Sequence, residues 1–192
     1  MSALNDIPTL TISDVSIWSA WIAEHHHDAQ GVWLKLAKKS SGLPTVTHDQ
    51  LLDIALCYGW IDGQRHGFDE QYYLQKFTPR RPRSLWSKRN IEKVEQLIAD
   101  GRMQPGGLAQ VESAKLDGRW QAAYDSPKNM TMPADFLAAL ESRPKAKAFY
   151  ETLNKTNTFA IAFRLVTAQK PETRQRRFDA LLAMLERGEK LH

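Results

Sequence analysis

The stretch Thr47-His48-Asp49-Gln50-Leu51-Leu52-Asp53-Ile54-Ala55-Leu56-Cys57-Tyr58-Gly59-Trp60-Ile61-Asp62-Gly63-Gln64 changes period midway, and that change decides the fold class. Thr47 and Gln50 have the spacing of a capping box, in which a hydroxyl and an amide three residues on satisfy each other's backbone N–H groups. Leu51, Ile54, Ala55 and Tyr58 then recur at helical intervals. Gly59 is placed to stop the helix. Beyond it the period drops to two, so Trp60, Asp62 and Gln64 share one face of a strand. Gln71 to Thr78, rich in Tyr72, Tyr73 and Phe77, follows across a polar turn around Gly67, Asp69 and Glu70. The pair predicts a β-hairpin.

Upstream, Trp18, Trp21, Ile22 and His25 recur at helical spacing after Ser13 and Asp14, either of which can cap a helix start. Gly31 ends that helix, and Val32, Leu34 and Leu36 alternate on one face of a strand over Val32 to Lys38. A loop follows from Ser40 to Pro44. Downstream, Pro79 and Pro82 flank Arg80 and Arg81, which forbids a continuing helix and predicts an extended, solvated loop. Ser87 can cap a helix lined by Ile91, Val94, Leu97 and Ile98 that stops at Gly101, and Pro105 opens another that Gly118 closes.

Asp125 to Met130 reads as a linker. After it the pattern is helical throughout: Pro133 to Leu140, Pro144 to Leu153, Phe159 to Ala168 and Pro171 to Arg187. In the last, Phe178, Leu181, Leu182 and Leu185 form an apolar stripe. The expected architecture is α+β. Residues 1–125 form a domain in which a small antiparallel sheet packs with helices, and residues 126–192 form an all-helical domain.

The chain has 192 residues, of which 42% are apolar and 25% charged, the composition of an ordinary globular protein. No run approaches the roughly 18 apolar residues that span a bilayer, so no membrane span is expected. The first residues carry Asp6 and Asp14 in place of a basic start and lack an apolar h-region, which predicts no export and a cytoplasmic location. One cysteine, Cys57, cannot form an internal disulfide and reads as a small buried hydrophobe.

Net charge is +4, from 26 Lys and Arg against 22 Asp and Glu, but it is segregated. Over residues 1–75, Lys35, Lys38, Lys39 and Arg65 are outnumbered by acids. Over 76–93 Lys76, Arg80, Arg81, Arg83, Lys88, Arg89 and Lys93 face Glu92 alone. This segment is the first place to expect an anionic partner.

Two groups of motifs resemble one known family. Tyr58-Gly59-Trp60-Ile61-Asp62-Gly63-Gln64, Phe77-Thr78-Pro79-Arg80-Arg81-Pro82 and Trp86-Ser87-Lys88-Arg89-Asn90 are similar to the N-terminal part of the bacterial YdeI/OmpD-associated, or bacteriocin-protection, family. Phe163-Arg164-Leu165, Thr167-Ala168-Gln169-Lys170, Glu172-Thr173-Arg174 and Arg176-Arg177 resemble its C-terminal helical domain, with Gln169 intervening where the family pattern joins Ala and Lys directly. The resemblance runs from about Trp18 to Gly188. It implies a role in protection against bacteriocins or cationic antimicrobial peptides and an association with an outer-membrane porin, and it implies no catalytic residue.

The candidate anion site is Arg80, Arg81, Arg83, Ser84, Ser87, Lys88 and Asn90: guanidinium groups for bidentate recognition, neutral donors, and a helix start at Ser87. The competing reading pairs these arginines with Asp62, Asp69 or Glu70 as an internal electrostatic seam. A pocket could gather Trp60, Asp62, Gln64 and Trp86, with Asp62 orienting a guanidinium or acting as acid or base, although a plain hydrogen-bond acceptor role suits Asp62 better. Trp86 beside Arg83 and Lys88 could stack on a base.

His25-His26-His27-Asp28 does not make a zinc site, because only His25 and Asp28 share a helical face. Arg174, Arg176 and Arg177 read as a solvated helix face. Neither metal nor organic cofactor is expected: GxGxxG, P-loop, GxSxG and paired CxxC motifs are all missing. The function expected is that of a non-enzymatic protein whose basic surface takes a small anionic ligand or phosphate. The alternatives are nucleic-acid binding through the same loop, and an enzyme using Asp62.

Overall fold

In the computed structural model, which describes residues 7–27 and 30–192, Thr9–Ile12 forms strand β1 and Val32–Ala37 forms strand β2, joined by helix α1 (Val15–His25). β1 pairs parallel with β2. It is short, half exposed and half threonine, so it carries little of the apolar signal by which strands are recognised in sequence. Asp14 caps α1 by accepting from the Ser16 N–H at 2.8 Å. Helix α2 (His48–Cys57) starts with the capping box of Thr47 and Gln50 complete in both directions. At its end Gly59 adopts φ +78°, a conformation open to glycine and costly for other residues.

Strands β3 (Trp60–Gly67) and β4 (Tyr72–Pro79) form the antiparallel hairpin, and the sheet order is β1-β2-β4-β3. Asp69 tightens the turn by accepting from the N–H groups of Gln71 and Tyr72 at 2.8 and 2.7 Å. Asp62 lies opposite Phe77 but Arg65 lies opposite Gln75, so β3 carries one residue more than its partner between those positions. This bulge ends the simple alternation of Trp60, Asp62 and Gln64. Gln75, buried in β4, fixes it by donating to the carbonyls of Gly63 and Gln64 at 3.1 and 3.3 Å.

The chain divides into two units, one made of the residues up to Ser84 with Asn90–Gln121, the other of Leu85–Arg89 with Ala122–His192. In the first, Trp18 and Ile22 of α1 and Leu51, Leu52, Ala55 and Leu56 of α2 are buried together with Val32, Leu34 and Leu36 of β2 and Phe77 of β4. Trp18 packs on Phe77 and Trp60, with ring centroids 5.4 and 6.3 Å away, and its indole N–H donates to the Leu51 carbonyl at 3.1 Å. Helices α3 (Lys88–Ala99) and α4 (Pro105–Leu116) complete the elements up to Gln121. Lys93 of α3 reaches Asp53 of α2 at 2.8 Å.

The second unit holds α5 (Ala134–Glu141), α6 (Pro144–Glu151), α7 (Lys155–Val166) and α8 (Pro171–Glu186). Asn154 caps α7, which starts at Lys155, four residues ahead of the expected start at Phe159. Phe136, Leu140, Ala146, Ile161, Leu165, Leu181, Leu182 and Leu185 form its core. The segment Leu85–Arg89 joins this unit by pairing with Tyr124, which donates to the Trp86 carbonyl at 3.0 Å and accepts from the Lys88 N–H at 2.9 Å. The fold is thus α+β, with the sheet in the N-terminal part and helices dominating the C-terminal part.

Candidate functional site

The residues of the basic segment part ways in the structure. Arg80 does not lie in a solvated loop: it follows directly on β4, its N–H donates to the Gly59 carbonyl at 3.0 Å, and it is only 6% exposed. The next four residues form a tight turn in which the Ser84 N–H donates to the Arg81 carbonyl at 2.9 Å and the Arg81 N–H donates to Ser84 Oγ at 3.0 Å. Pro82 and Arg83 fill the central positions, and Arg83 takes φ +69°, the value a type II turn demands and glycine usually supplies. Arg81 and Arg83 are exposed. Ser87, Lys88 and Asn90 follow, and Lys88 Nζ pairs with Asp125 at 2.7 Å. Trp86 is 2% exposed.

Two of the three acids proposed as internal partners, Asp62 and Asp69, have other roles. Asp62 accepts from His48 Nε2, the first residue of α2, at 3.1 Å, and both side chains are about one third exposed. Asp69 holds the hairpin turn. The acidic first segment does supply one seam, through Asp53 and Asp49 to Lys93 at 2.8 and 4.0 Å.

Arg80 lines a cleft of about 490 Å³ that lies entirely within the first unit. One wall is the end of α1, with His26 and His27, whose ring centroids are 3.9 Å apart. A second is the α2–β3 junction, with Tyr58, Gly59 and Trp60. The third is the start of α4, with Gln104, Pro105, Gly106 and Gln110. The walls are tied by backbone and indole contacts: Trp60 Nε1 donates to the His26 carbonyl at 3.0 Å, and the Gln104 N–H donates to the Cys57 carbonyl at 3.0 Å. Glycine allows the close approach. A Cβ on Gly59 would stand 2.8 Å from the Gly106 carbonyl oxygen, and one on Gly106 would stand 3.1 Å from that of Tyr58.

The lining supplies hydrogen-bond donors of several kinds: a guanidinium, the His27 imidazole, two side-chain amides and a phenol. Among the described residues no carboxylate lines it. The first turn of α4 adds its positive end, because Gln104 gives it no side-chain cap and Pro105 occupies the first helical position. His26 Nδ1 donates to the carbonyls of Ile22 and Ala23, both at 3.2 Å, which orients its other nitrogen away from α1. Such a set suits an anion small enough to enter.

Of the residues expected from sequence, Arg80 and Trp60 line this cleft, while Asp62 and Gln64 do not. Gln104 and Gln110 escaped the sequence reading, in which His26 and His27 figure only as a rejected zinc cluster and Tyr58 only as a helix and motif residue, since their convergence depends on pairings between distant segments. The pairing of His25 with Asp28 lies outside the described residues. Among the described residues there is no group of three or more His, Cys, Asp or Glu side chains able to hold a metal ion. Cys57 is buried, and that burial pushes its thiol above the ordinary value, which opposes a nucleophilic role. No helix is long and apolar enough to cross a membrane, among the described residues.

Comparison with known families divides the chain in two. Residues 10–110 match the model described as domain of unknown function DUF8412, which takes in the whole cleft and the motifs of Tyr58–Gln64 and Phe77–Asn90. Residues 129–188 match the model described as bacteriocin-protection, YdeI or OmpD-associated, which takes in α5 to α8 and the motifs of Phe163–Arg177. No curated protein and no solved structure matches the chain. With more than half of its length inside the first of these models, the chain belongs to the DUF8412 family, and it carries at 129–188 a domain of the bacteriocin-protection, YdeI or OmpD-associated family.

Proposed function

We propose that this chain is a non-enzymatic protein that captures a small anion, carboxylate or phosphate, in the cleft lined by Arg80. The single observation that carries the reading is a nine-tenths buried arginine in a cleft whose lining offers donors and no carboxylate. A guanidinium out of bulk water interacts strongly with an anion because the surrounding dielectric is low, and its fork geometry matches two oxygens at once. Arg81 and Arg83, exposed on the adjoining turn, raise the local positive potential.

Capture in place of catalysis suits a lining whose two imidazoles have no carboxylate, thiol or lysine beside them to act as orienting partner or nucleophile. It also suits the description of the C-terminal family, since protection by sequestering needs a binding site and no turnover. In this reading residues 1–125 bind and residues 126–192 are the family's helical domain. A cytoplasmic location belongs to the same proposal, as a single, buried cysteine suits a reducing compartment.

Titration of the full chain with inorganic phosphate, followed by NMR of the backbone amides, tests this. Shifts at His26, Gly59, Gly106 and Gln110 are expected, reduced about tenfold in affinity or more by Arg80→Gln and partly kept by Arg80→Lys. Unchanged spectra with phosphate, acetate and citrate would sink the proposal. A steeply salt-dependent response to an oligothymidylate, unaffected by Arg80→Gln, would replace it with nucleic-acid binding.

A further inference from the structure

Among the donors of the Arg80 cleft stands one fixed acceptor. The two glutamine amides and the Tyr58 hydroxyl can turn either a proton or a lone pair toward a ligand, but His26 cannot. Its Nδ1 faces the carbonyl oxygens of Ile22 and Ala23, each 3.2 Å away, and carbonyl oxygens only accept. The imidazole proton therefore sits on Nδ1, and in the neutral ring Nε2 carries a bare lone pair. Exchanging the two nitrogens would forfeit both bonds. The residue is pinned besides. As the cap of α1 it donates its N–H to the Ile22 carbonyl at 2.9 Å, and its own carbonyl accepts from Trp60 Nε1 at 3.0 Å. The rings of His27 and Tyr58 pack against it, with centroids 3.9 and 5.1 Å away.

Arg80 and His26 are fixed to the same short stretch of chain. The Arg80 N–H donates to the Gly59 carbonyl, His26 is bonded by the neighbouring Trp60, and Trp60 pairs with Pro79, the residue before Arg80. A guanidinium attracts unprotonated oxygens, whereas a bare imidazole nitrogen repels them. An anion satisfies both by carrying a proton on one of its oxygens. Inorganic phosphate does so at any physiological pH. Sulfate and simple carboxylates carry none near neutrality, and a phosphate monoester has mostly lost its own there, since it titrates near about 6.

On the reading that Arg80 captures an anion in this cleft, we infer that the anion selected is hydrogen phosphate, the free inorganic ion. His26 Nε2 accepts the P–OH proton while Arg80 takes two unprotonated oxygens. His26 is then the residue that sets specificity. Sulfate has the same shape but leaves Nε2 facing an oxygen lone pair, and a site built around a ligand hydroxyl rejects the analogue that lacks it.

Calorimetric titration of the full chain with phosphate, sulfate and methyl phosphate at constant ionic strength tests this. At about pH 8, above the range in which free imidazole and the second proton of phosphate titrate, phosphate and sulfate carry nearly the same charge and differ by one proton. Sulfate and methyl phosphate should each bind at least about tenfold more weakly than phosphate. His26→Gln, whose amide can turn its NH2 group to the ligand, should bring sulfate to within about threefold of phosphate. His27→Gln should weaken both anions alike and keep their ratio. The ratio is read between two anions on one protein, so a loss of folded fraction cancels. Equal affinities for phosphate and sulfate, both lost in Arg80→Gln, would overturn the selectivity and leave anion capture standing. An unchanged ratio in His26→Gln would overturn the role of His26. No binding of any of the three anions would remove the capture reading and the selectivity together.

Discussion

The two units bury different kinds of side chain. In the first, Gln75, Arg80 and Arg119 are buried among the apolar residues, whereas in the second Asn157 is the buried polar residue among those described. Asn157 and Gln75 serve the fold, the former holding the His192 backbone by donor and acceptor at 3.3 and 3.0 Å, the latter the β3 bulge. Arg119 serves it too: its guanidinium donates to Asp117, to the Ser84 carbonyl at 3.0 Å and to Ser113 Oγ at 3.1 Å. Arg80 differs in lining a cleft. Equal burial of two arginines thus goes with different surroundings, and the comparison can be broken by mutation.

The largest effect is expected in the apolar core of the second unit. Phe136 is fully buried and meets Phe178 edge-on at 5.2 Å, so Phe136→Ala should cost about 3–5 kcal/mol in urea unfolding. Phosphate binding by Arg80 should survive it, since every lining residue of the cleft belongs to the other unit. Loss of that binding would show that the division into two units is not functional.

Next comes the pair of buried arginines. Arg119→Met removes the donors to Ser84 and Ser113 and should cost about 2 kcal/mol in the same measurement. Arg80→Gln keeps a donor in the cleft and should cost clearly less while removing most of the anion affinity. If the two substitutions destabilise equally, Arg80 is a structural arginine like Arg119 and the contrast between them fails.

How far this contrast could be read in the sequence depends on its range. The capping box at Thr47, the stop at Gly59, the hairpin, and the four C-terminal helices rest on neighbours within a few residues, and all are visible as local patterns. β1 is not, because its pairing with β2 is supplied by a strand more than 20 residues away and its own sequence is half polar. The start of α7 is hidden because Lys155, Thr156 and Asn157 look like loop residues until Asn154 is recognised as the cap. Arg80 was legible as part of a basic run but not as a buried residue. The cleft that receives it is built from α1, the α2–β3 junction and α4, which only the tertiary fold brings together.

A smaller effect concerns the turn that follows Arg80. Arg83 holds φ +69° on an exposed turn, a conformation that costs a residue with a Cβ of the order of 1 kcal/mol. Arg83→Gly should therefore stabilise the protein by about 0.5–1 kcal/mol, while Arg83→Ala, which keeps the Cβ, should not. Both remove the charge. A phosphate affinity lowered alike in the two variants, beside opposite stabilities, would separate what the guanidinium gives the anion from what the backbone costs the fold.

The smallest effect tests the surface charges of the second unit against those of the first. In α5 Asp135 takes a two-point contact from Arg174, at 2.9 and 2.7 Å, and its Oδ1 also accepts from the Phe136 N–H at 2.9 Å. The Arg174 hydrogen bond holds the carboxyl below its ordinary value, as Arg119 does for Asp117 in the first unit. A carboxyl with a lowered value in the folded state stabilises above the unfolded value, about 3.9, and that stabilisation fades as pH falls through the folded value. The Asp135 and Arg174 side chains are 52% and 33% exposed, so solvent screening limits the pair to about 0.5–1 kcal/mol. Asp135→Asn should therefore lower the unfolding midpoint slightly at pH 7, and the difference should close as the pH drops below about 3.9. It should also shrink in about 1 M salt, where the Debye length falls to about 3 Å. A difference that persists at low pH would mean that the Phe136 N–H contact in the first turn of α5, which asparagine can keep, is not equivalent in the two side chains, and that this contact outweighs the ion pair.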